Sequence, residues 1–418
     1  MASPAWWGSG ARASDNVSCR ERNFAGISEV HLTAITCVED LRRLHERRVP
    51  RMFYDYAAAG SWTETTLRRN AAAFAELSLR QRVAVDLSDR TLGSTMLGEQ
   101  WTMPVGIAPT GLAGMQHADG EILGARAAEA FGVPFTLSTM SICSIEDVAA
   151  HTSKPFWFQL YVMKDRDFIA RLIERAKHAN CSALVLTLDL QIMGQRHADV
   201  KNQMTAPPRL SIPNLLNMAT KPRWCKGMLG TRRHNFGNII GHANGVSDLT
   251  SLGSWSAEQL DPTLNWDDVA WVKELWGGKL VLKGIMDRED ARHAVASGAD
   301  ALIVSNHGGR QLDGAPASLD VLPQIVEEVG SAMEVWFDGG ITTGQDAFKA
   351  LALGARGVFI GKAFLNGLGA MGEPGVTRVL EIIRNELDLT MAFCGYTDIN
   401  DVDQHVFWRA SADSAKQP

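Results

Sequence analysis

The sequence predicts an α/β fold closed as an eight-stranded (β/α)8 (TIM) barrel, with a helical segment before it and a long insertion after strand four. Three observations lead there. Eight short apolar runs recur from Met103 onward. Amphipathic or alanine-rich stretches of helical period separate most of them. Each run also ends in small, polar or charged residues, and those ends converge on one mouth if the sheet closes.

Residues 1–28 mix small, polar and charged types without periodicity and read as a flexible extension before a domain spanning 29–403. Over Cys37–Arg48, Val38, Leu41 and Leu44 recur at helical spacing, and Pro50 stops the pattern. Met52–Gly60 reads as a second short helix closed by glycine. Its Tyr54 and Tyr56 face different sides, and Tyr54 is expected to pack on the barrel with its hydroxyl in water.

The strand candidates are Pro104–Ala108, Pro134–Leu137, Phe156–Val162, Ala183–Leu188, Lys279–Leu282, Ala301–Val304, Glu334–Phe337 and Gly357–Ile360. Most lack period-2 alternation, as parallel strands buried on both faces do. Helical stretches between them include Glu121–Ala130, Arg166–Ala179, Arg288–Ser297 and Gln345–Leu353. An insertion fills about 200–260, and 404–418 form a tail. Pattern alone leaves a doubly wound open sheet as the alternative.

The run ends carry the chemistry. In order they read Pro109-Thr110-Gly111, Ser138-Thr139, Gln159 and Tyr161, Thr187 and Asp189, Lys283, Ser305 and His307, Asp338-Gly339-Gly340, and Gly361-Lys362. Solubility does not require an Asp, a Lys and a His to gather there. Ser305-Asn-His-Gly-Gly-Arg-Gln-Leu-Asp313 follows the sixth run, and Gly308-Gly309 permit a sharp turn bringing imidazole and guanidinium onto one small anion. The glycines after runs seven and eight suit a phosphate, with Lys362 adding charge. Ser138, Gln159 and Thr187 offer partners for a flat heteroaromatic ring, and Lys283 could stabilise negative charge on it. Asp189 is placed to orient a histidine; the structural alternative pairs it with Lys283.

Composition narrows the class. A net charge of −6 over 418 residues argues against nucleic-acid binding. The six cysteines are scattered, without metal-ligand spacing or a disulfide framework, and no metal is expected. No apolar run approaches the ~18 residues that would span a bilayer, and the N-terminus lacks a signal-peptide core. The expected location is cytoplasmic.

The residues carry a resemblance. Tyr54–Gly60, Pro104–Gly111, Trp157–Val162, Leu184–Asp189 and above all Ser305–Leu312 resemble the FMN-dependent 2-hydroxy-acid dehydrogenase/oxidase family, over about Val38 to Asp403. Thr66–Asn70 and Pro134–Thr139 look most like its respiratory L-lactate dehydrogenase branch. The resemblance implies oxidation of an L-2-hydroxy acid to the 2-oxo acid by a usually homotetrameric FMN enzyme. It implies His307 as base with Asp189 as its partner. Arg310, Arg196 and Tyr56 would hold the substrate carboxylate, and Tyr161 the substrate oxygen. Pro109, Thr110, Gly111, Ser138, Gln159, Thr187, Lys283 and Ser305 would bind FMN, and Asp338, Gly339, Gly340, Thr342, Gly361 and Lys362 its phosphate. Thr342 and Lys362 stand where that family usually has arginine, Gln191 replaces a usual proline, and Met140 lines the substrate side.

Gly111 stands where relatives passing electrons to a carrier tend to have glycine and oxygen-using relatives alanine, which points to a quinone or cytochrome acceptor. From Val200 to Ser247 no acid occurs, while Lys201, Arg209, Lys221, Arg223, Lys226, Arg232 and Arg233 are basic. With Trp224, Met228 and Leu229 this stretch could make peripheral contact with the inner face of a membrane; the alternative is a solvated loop over the barrel mouth. The competing functions are a peroxide-forming oxidase, a non-catalytic FMN-binding relative, and a non-flavin phosphate-binding isomerase.

Overall fold

In this computed structural model the described residues are 35–204, 211–243 and 259–408. Contacts divide the chain into residues 1–36 and 37–418, and the second unit carries the barrel. The expected extension over 1–28, Arg209, Ser247 and the tail beyond Trp408 lie outside the described residues.

All eight runs are strands: β1 Val105–Ile107, β2 Thr136–Ser138, β3 Trp157–Tyr161, β4 Ala183–Thr187, β5 Lys279–Ile285, β6 Ala301–Val304, β7 Glu334–Asp338 and β8 Gly357–Ile360. They pair in parallel in the order β1-β8-β7-β6-β5-β4-β3-β2, and a parallel bridge between Ile107 and Phe135 closes the ring. That closure removes the open-sheet alternative. The strands are apolar throughout because helices cover the outside while side chains fill the inside. Trp157 and Trp336 stack at 5.2 Å inside the barrel, with Val185, Val281, Ile303 and Phe359 around them. A hairpin, Ser94–Met96 with Glu99–Trp101, plugs the floor through Met96 and Leu97. Burying each such branched side chain contributes about 1.5–3 kcal/mol.

Among the described residues three helices precede the hairpin: α1 Val38–Arg48, α2 Arg51–Ala58 and α3 Thr65–Ala75. In α1 the helical-period residues Val38 and Leu41 are buried, and so is His45. In α2, Tyr54 is buried as expected, but its hydroxyl accepts from Arg42 at 2.7 Å rather than meeting water. Tyr56 lines the large cavity at the barrel mouth.

The insertion is more ordered than a solvated loop. Its described part forms helices His197–Lys201, Ile212–Ala219 and Pro222–Gly230. The expectation for Trp224 and Met228 is corrected. The Trp224 ring stacks on Phe53 at 5.5 Å, its Nε1 donates to the Met115 carbonyl, and Met228 is buried. Two basic residues also turn inward: Lys221 donates to the Arg47 carbonyl, and Arg233 pairs with Asp119 and Asp147. Val200, Ile212, Leu215, Leu216 and Leu229 are the large apolar residues left exposed on these helices. Among the described residues no helix is long and apolar enough to cross a membrane.

Candidate active site

The loop after β6 takes its shape from three consecutive residues in the left-handed region. His307, Gly308 and Gly309 have φ of 58°, 65° and 71°. The glycines adopt it freely, whereas His307 carries the cost of a non-glycine residue there. Gly309 has a second reason: a Cβ would lie 2.5 Å from the Leu67 nitrogen of α3. Asp313 fastens the same helix by accepting from the N–H groups of Thr63 and Thr66 at 3.0 and 2.8 Å.

The loop directs His307 to Asp189, Nδ1 to Oδ1 at 2.8 Å. With the carboxylate ionised, Nδ1 donates and Nε2 is left as the proton acceptor. Burial alone would raise the Asp189 pKa, but the charges of His307 and Lys283 outweigh it and hold the carboxyl below its usual range. Gly284 makes room for this aspartate. It sits at an irregularity in the β5–β6 register, has φ of 105°, and a Cβ there would lie 2.8 Å from the Asp189 side chain. Gln311 ties the two loops together by donating to the carbonyls of Asp189 and Ile192. Gln191 shapes the same segment by donating to the Leu264 carbonyl at 2.6 Å.

The carboxylate-binding candidates meet around Tyr56. The guanidinium carbon of Arg310 lies 4.7 Å from the Tyr56 ring centre and that of Arg196 5.5 Å. Arg310 donates to the carbonyls of Tyr56 and Ala59, and Arg196 pairs with Asp199 at 2.8 Å. Burial, then the neighbouring Arg196, lowers the Arg310 pKa, a bias that an incoming anion would relieve. Tyr161, at the end of β3, lines the same cavity and is held protonated, its pKa raised chiefly by burial and then by Asp189.

The opposite wall is polar and tightly bonded. Ser138 Oγ donates to Gln159 Oε1 at 3.1 Å, and Gln159 Nε2 donates to Thr187 Oγ1 at 3.1 Å. Gln159, Thr187 and Ser305 are buried at the strand ends, behind Ser138 and Lys283, which line the cavity. Lys283 donates to Ser305 Oγ at 2.6 Å and pairs with Asp338 at 2.9 Å. Its structural partner is therefore Asp338 rather than Asp189. Burial would lower the Lys283 pKa, yet Asp338 and Asp189 together hold it above the ordinary lysine value.

The ends of β7 and β8 form a glycine-lined corner. Gly339 and Gly340 have φ of 120° and 80°, and a Cβ at either would strike Ser318 Oγ at 2.4 Å or the Asn70 carbonyl at 2.5 Å. Gly361 and Lys362 complete the corner with Thr110. Lys362 Nζ donates to the Ala58 carbonyl at 2.8 Å. Thr342 lines the cavity, but its N–H and hydroxyl both donate to Asp346 Oδ2. The whole cavity is about 1380 Å³, and Pro109, Gly111, Tyr161, Arg196 and His307 line it too.

Comparison with known proteins decides the family. The FMN-dependent dehydrogenase profile matches residues 45–409. The chain belongs to the FMN-dependent dehydrogenase family. An L-lactate dehydrogenase of Ectopseudomonas mendocina (strain ymp) is 42% identical over 370 residues, covering 88% of this chain and 97% of that protein. One of Caulobacter sp. (strain K31) is 41% identical over 377 residues, 89% of this chain and 98% of the relative. Among solved structures, the monotopic membrane protein (S)-mandelate dehydrogenase superposes with a TM-score of 0.85 at 37% identity, covering 90% of this chain and all of that one. A mandelate oxidase gives 0.75 at 33%, covering 88% and 97%.

This dehydrogenase is an oxidoreductase whose cofactor is FMN, and the cavity fits that group. A buried amide, hydroxyls and an ammonium suit a flavin ring at one end, and the glycine corner suits a phosphate at the other. Among the described residues no cluster of three or more His, Cys, Asp or Glu is placed to hold a metal. Sequence reading missed Asp199, Asn70, Gly284 and Gln311 as parts of the site. Asp199 was findable, lying one helical turn from Arg196; the other three depend on contacts across the barrel.

Proposed function

We propose that this dehydrogenase oxidises an L-2-hydroxy acid of lactate type to the 2-oxo acid and passes the electrons to a quinone or cytochrome. The observation that carries this reading is the His307–Asp189 dyad, 2.8 Å apart, opening on the same cavity as the Arg196 and Arg310 guanidinia. One end of the cavity takes a proton and another binds a carboxylate, which is what a small hydroxy acid presents. Arg310 and Arg196 hold the carboxylate with Tyr56 between them. Tyr161, kept protonated by burial, donates to the substrate oxygen. His307 Nε2 takes up a substrate proton, and Asp189 stabilises the imidazolium that results.

Bound FMN supplies the two-electron acceptor. Pro109–Gly111, Ser138 and Lys283 would hold its ring end, backed by Gln159 and Thr187 behind Ser138 and by Ser305 on Lys283. Gly339, Gly340, Gly361 and Lys362 would hold its phosphate, with Asp338 kept on Lys283 and the Thr342 donors on Asp346. Anaerobic bleaching of the flavin by a panel of 2-hydroxy acids tests the substrate class; no bleaching by any of them removes the reading.

The acceptor reading draws on the surface. Ile212, Leu215, Leu216 and Leu229 are exposed on two adjoining helices that also expose Arg223 and Lys226. Apolar side chains ringed by cations suit an anionic bilayer, where quinones reside. Replacing Ile212, Leu215 and Leu216 together by serine should abolish flotation with anionic vesicles. Near-stoichiometric peroxide per turnover in air would instead favour the oxidase reading.

A further inference from the structure

The corner formed by the ends of β7 and β8 contains one cation without a carboxylate partner among the described residues. Lys362 is the first residue of the helix Lys362–Met371, and its ammonium has the neutral Ala58 carbonyl as acceptor. Of the other cations lining the cavity, Lys164 is exposed to solvent and three are committed elsewhere. Lys283 is paired with Asp338, Arg196 with Asp199, and Arg310 is bonded to the carbonyls of Tyr56 and Ala59. Thr342 adds no charge, and its donors are turned to Asp346.

The charged groups facing Lys362 are Arg310, from the loop after β6, and Glu64, at the start of α3. Arg310 opposes a second positive charge. Glu64 favours one but accepts from the Gly60 N–H at 2.9 Å, and α2 contributes its neutral carbonyl. A desolvated ammonium beside a guanidinium sheds its proton readily. Burial, with Arg310, brings Lys362 down to about 7.

We propose that FMN binding is coupled to protonation of Lys362, so that the phosphate draws a proton onto an amine held against the neutral Ala58 carbonyl. This rests on the reading that seats the FMN phosphate at this corner. The sign follows from linkage. A phosphate dianion raises the Lys362 pKa, so binding takes up a proton wherever the free amine lacks one, and affinity falls as pH rises past the free value. The second phosphate ionisation, near 6, adds a rise on the acid side. Affinity for FMN therefore peaks near neutrality, then declines by up to about tenfold per pH unit. Riboflavin, without a phosphate, should show neither limb.

Flavin released on diluting the holoenzyme, read by its fluorescence from pH 6 to 9, gives the FMN affinity; reloading with riboflavin gives the comparison. The wild type should lose FMN affinity above pH ~7 and hold riboflavin evenly. Lys362→Arg should lose the alkaline decline, and Lys362→Met the preference for FMN over riboflavin. Riboflavin binding in each variant reports that it is folded. An unchanged decline in Lys362→Arg overturns the proton coupling while leaving the phosphate reading intact. A full FMN preference in Lys362→Met shows that the phosphate is not at this corner and overturns both.

Discussion

Asn70 and Asn306 exchange two side-chain hydrogen bonds, 2.8 and 2.7 Å, so that a helix preceding the barrel is stitched to the loop that carries His307. The Asn306 carbonyl oxygen also accepts from Gly309 N–H at 3.1 Å, and that of Asn70 from Ser318 N–H at 3.3 Å. Both side chains are buried, and the pair fixes the loop from behind.

Asn70→Ala removes one partner from each amide group of Asn306, which keep the Gly309 N–H and the Pro316 carbonyl, and takes from the buried Ser318 N–H its acceptor. Leaving a buried polar group unpaired costs about 1–3 kcal/mol. A lowered urea midpoint together with slower flavin reduction is expected. Wild-type values in both would remove the pair from its supporting role.

His307→Gln keeps a polar side chain but no base. Flavin reduction by the hydroxy acid should fall by about 10²–10⁴-fold, while the absorbance of bound FMN is retained. Near-normal reduction in stopped-flow would take the histidine out of proton transfer.

Gly284→Ala places a methyl 2.8 Å from Asp189 at a φ of 105°. Asp189 must retreat from His307, and the rate should drop by about tenfold or more, equivalent to roughly 1.4 kcal/mol of barrel-mouth geometry. The carboxylate clamp lies elsewhere, so the KM should change much less than kcat. Equal losses in both would mean a general disruption.

Stability should fall on mild acidification. His45 is wholly buried and contacts Gln116 and Asn366. Burial lowers its pKa below 6.5, so below that pH the unfolded chain binds a proton that the folded one refuses. Its contribution is present above 6.5 and is lost as pH falls. The urea midpoint should decline from pH 7 to 5.5, and His45→Gln should flatten that decline. Parallel slopes in the two proteins would assign the effect to other groups.

The barrel was legible because its strands are short apolar runs and its active-site ends are polar at every turn of the pattern. The chemistry-bearing residues were legible for the same reason: Asp189, His307 and Gly361 follow closely on strands, and Lys283 stands near the end of one. What sequence could not give was partnership. That Lys283 answers to Asp338 rather than Asp189 depends on a reach from β5 past β6 to β7, and that Trp224 turns inward depends on Phe53, far away in the chain. Gly284 reads as an ordinary strand glycine until Asp189 is seen against it.

The bond from Lys362 to Ala58 joins residues 304 positions apart, and the Asn70–Asn306 pair joins residues 236 apart. The site is thus assembled from segments far apart in the chain. During synthesis the early segment with Tyr56 must wait, without its final neighbours, until β6 and then β8 have emerged. A chain stopped before residue 361 would carry the histidine and both arginines but lack Gly361 and Lys362 of the phosphate corner. Completion of the site therefore waits on β8, the last barrel strand to emerge.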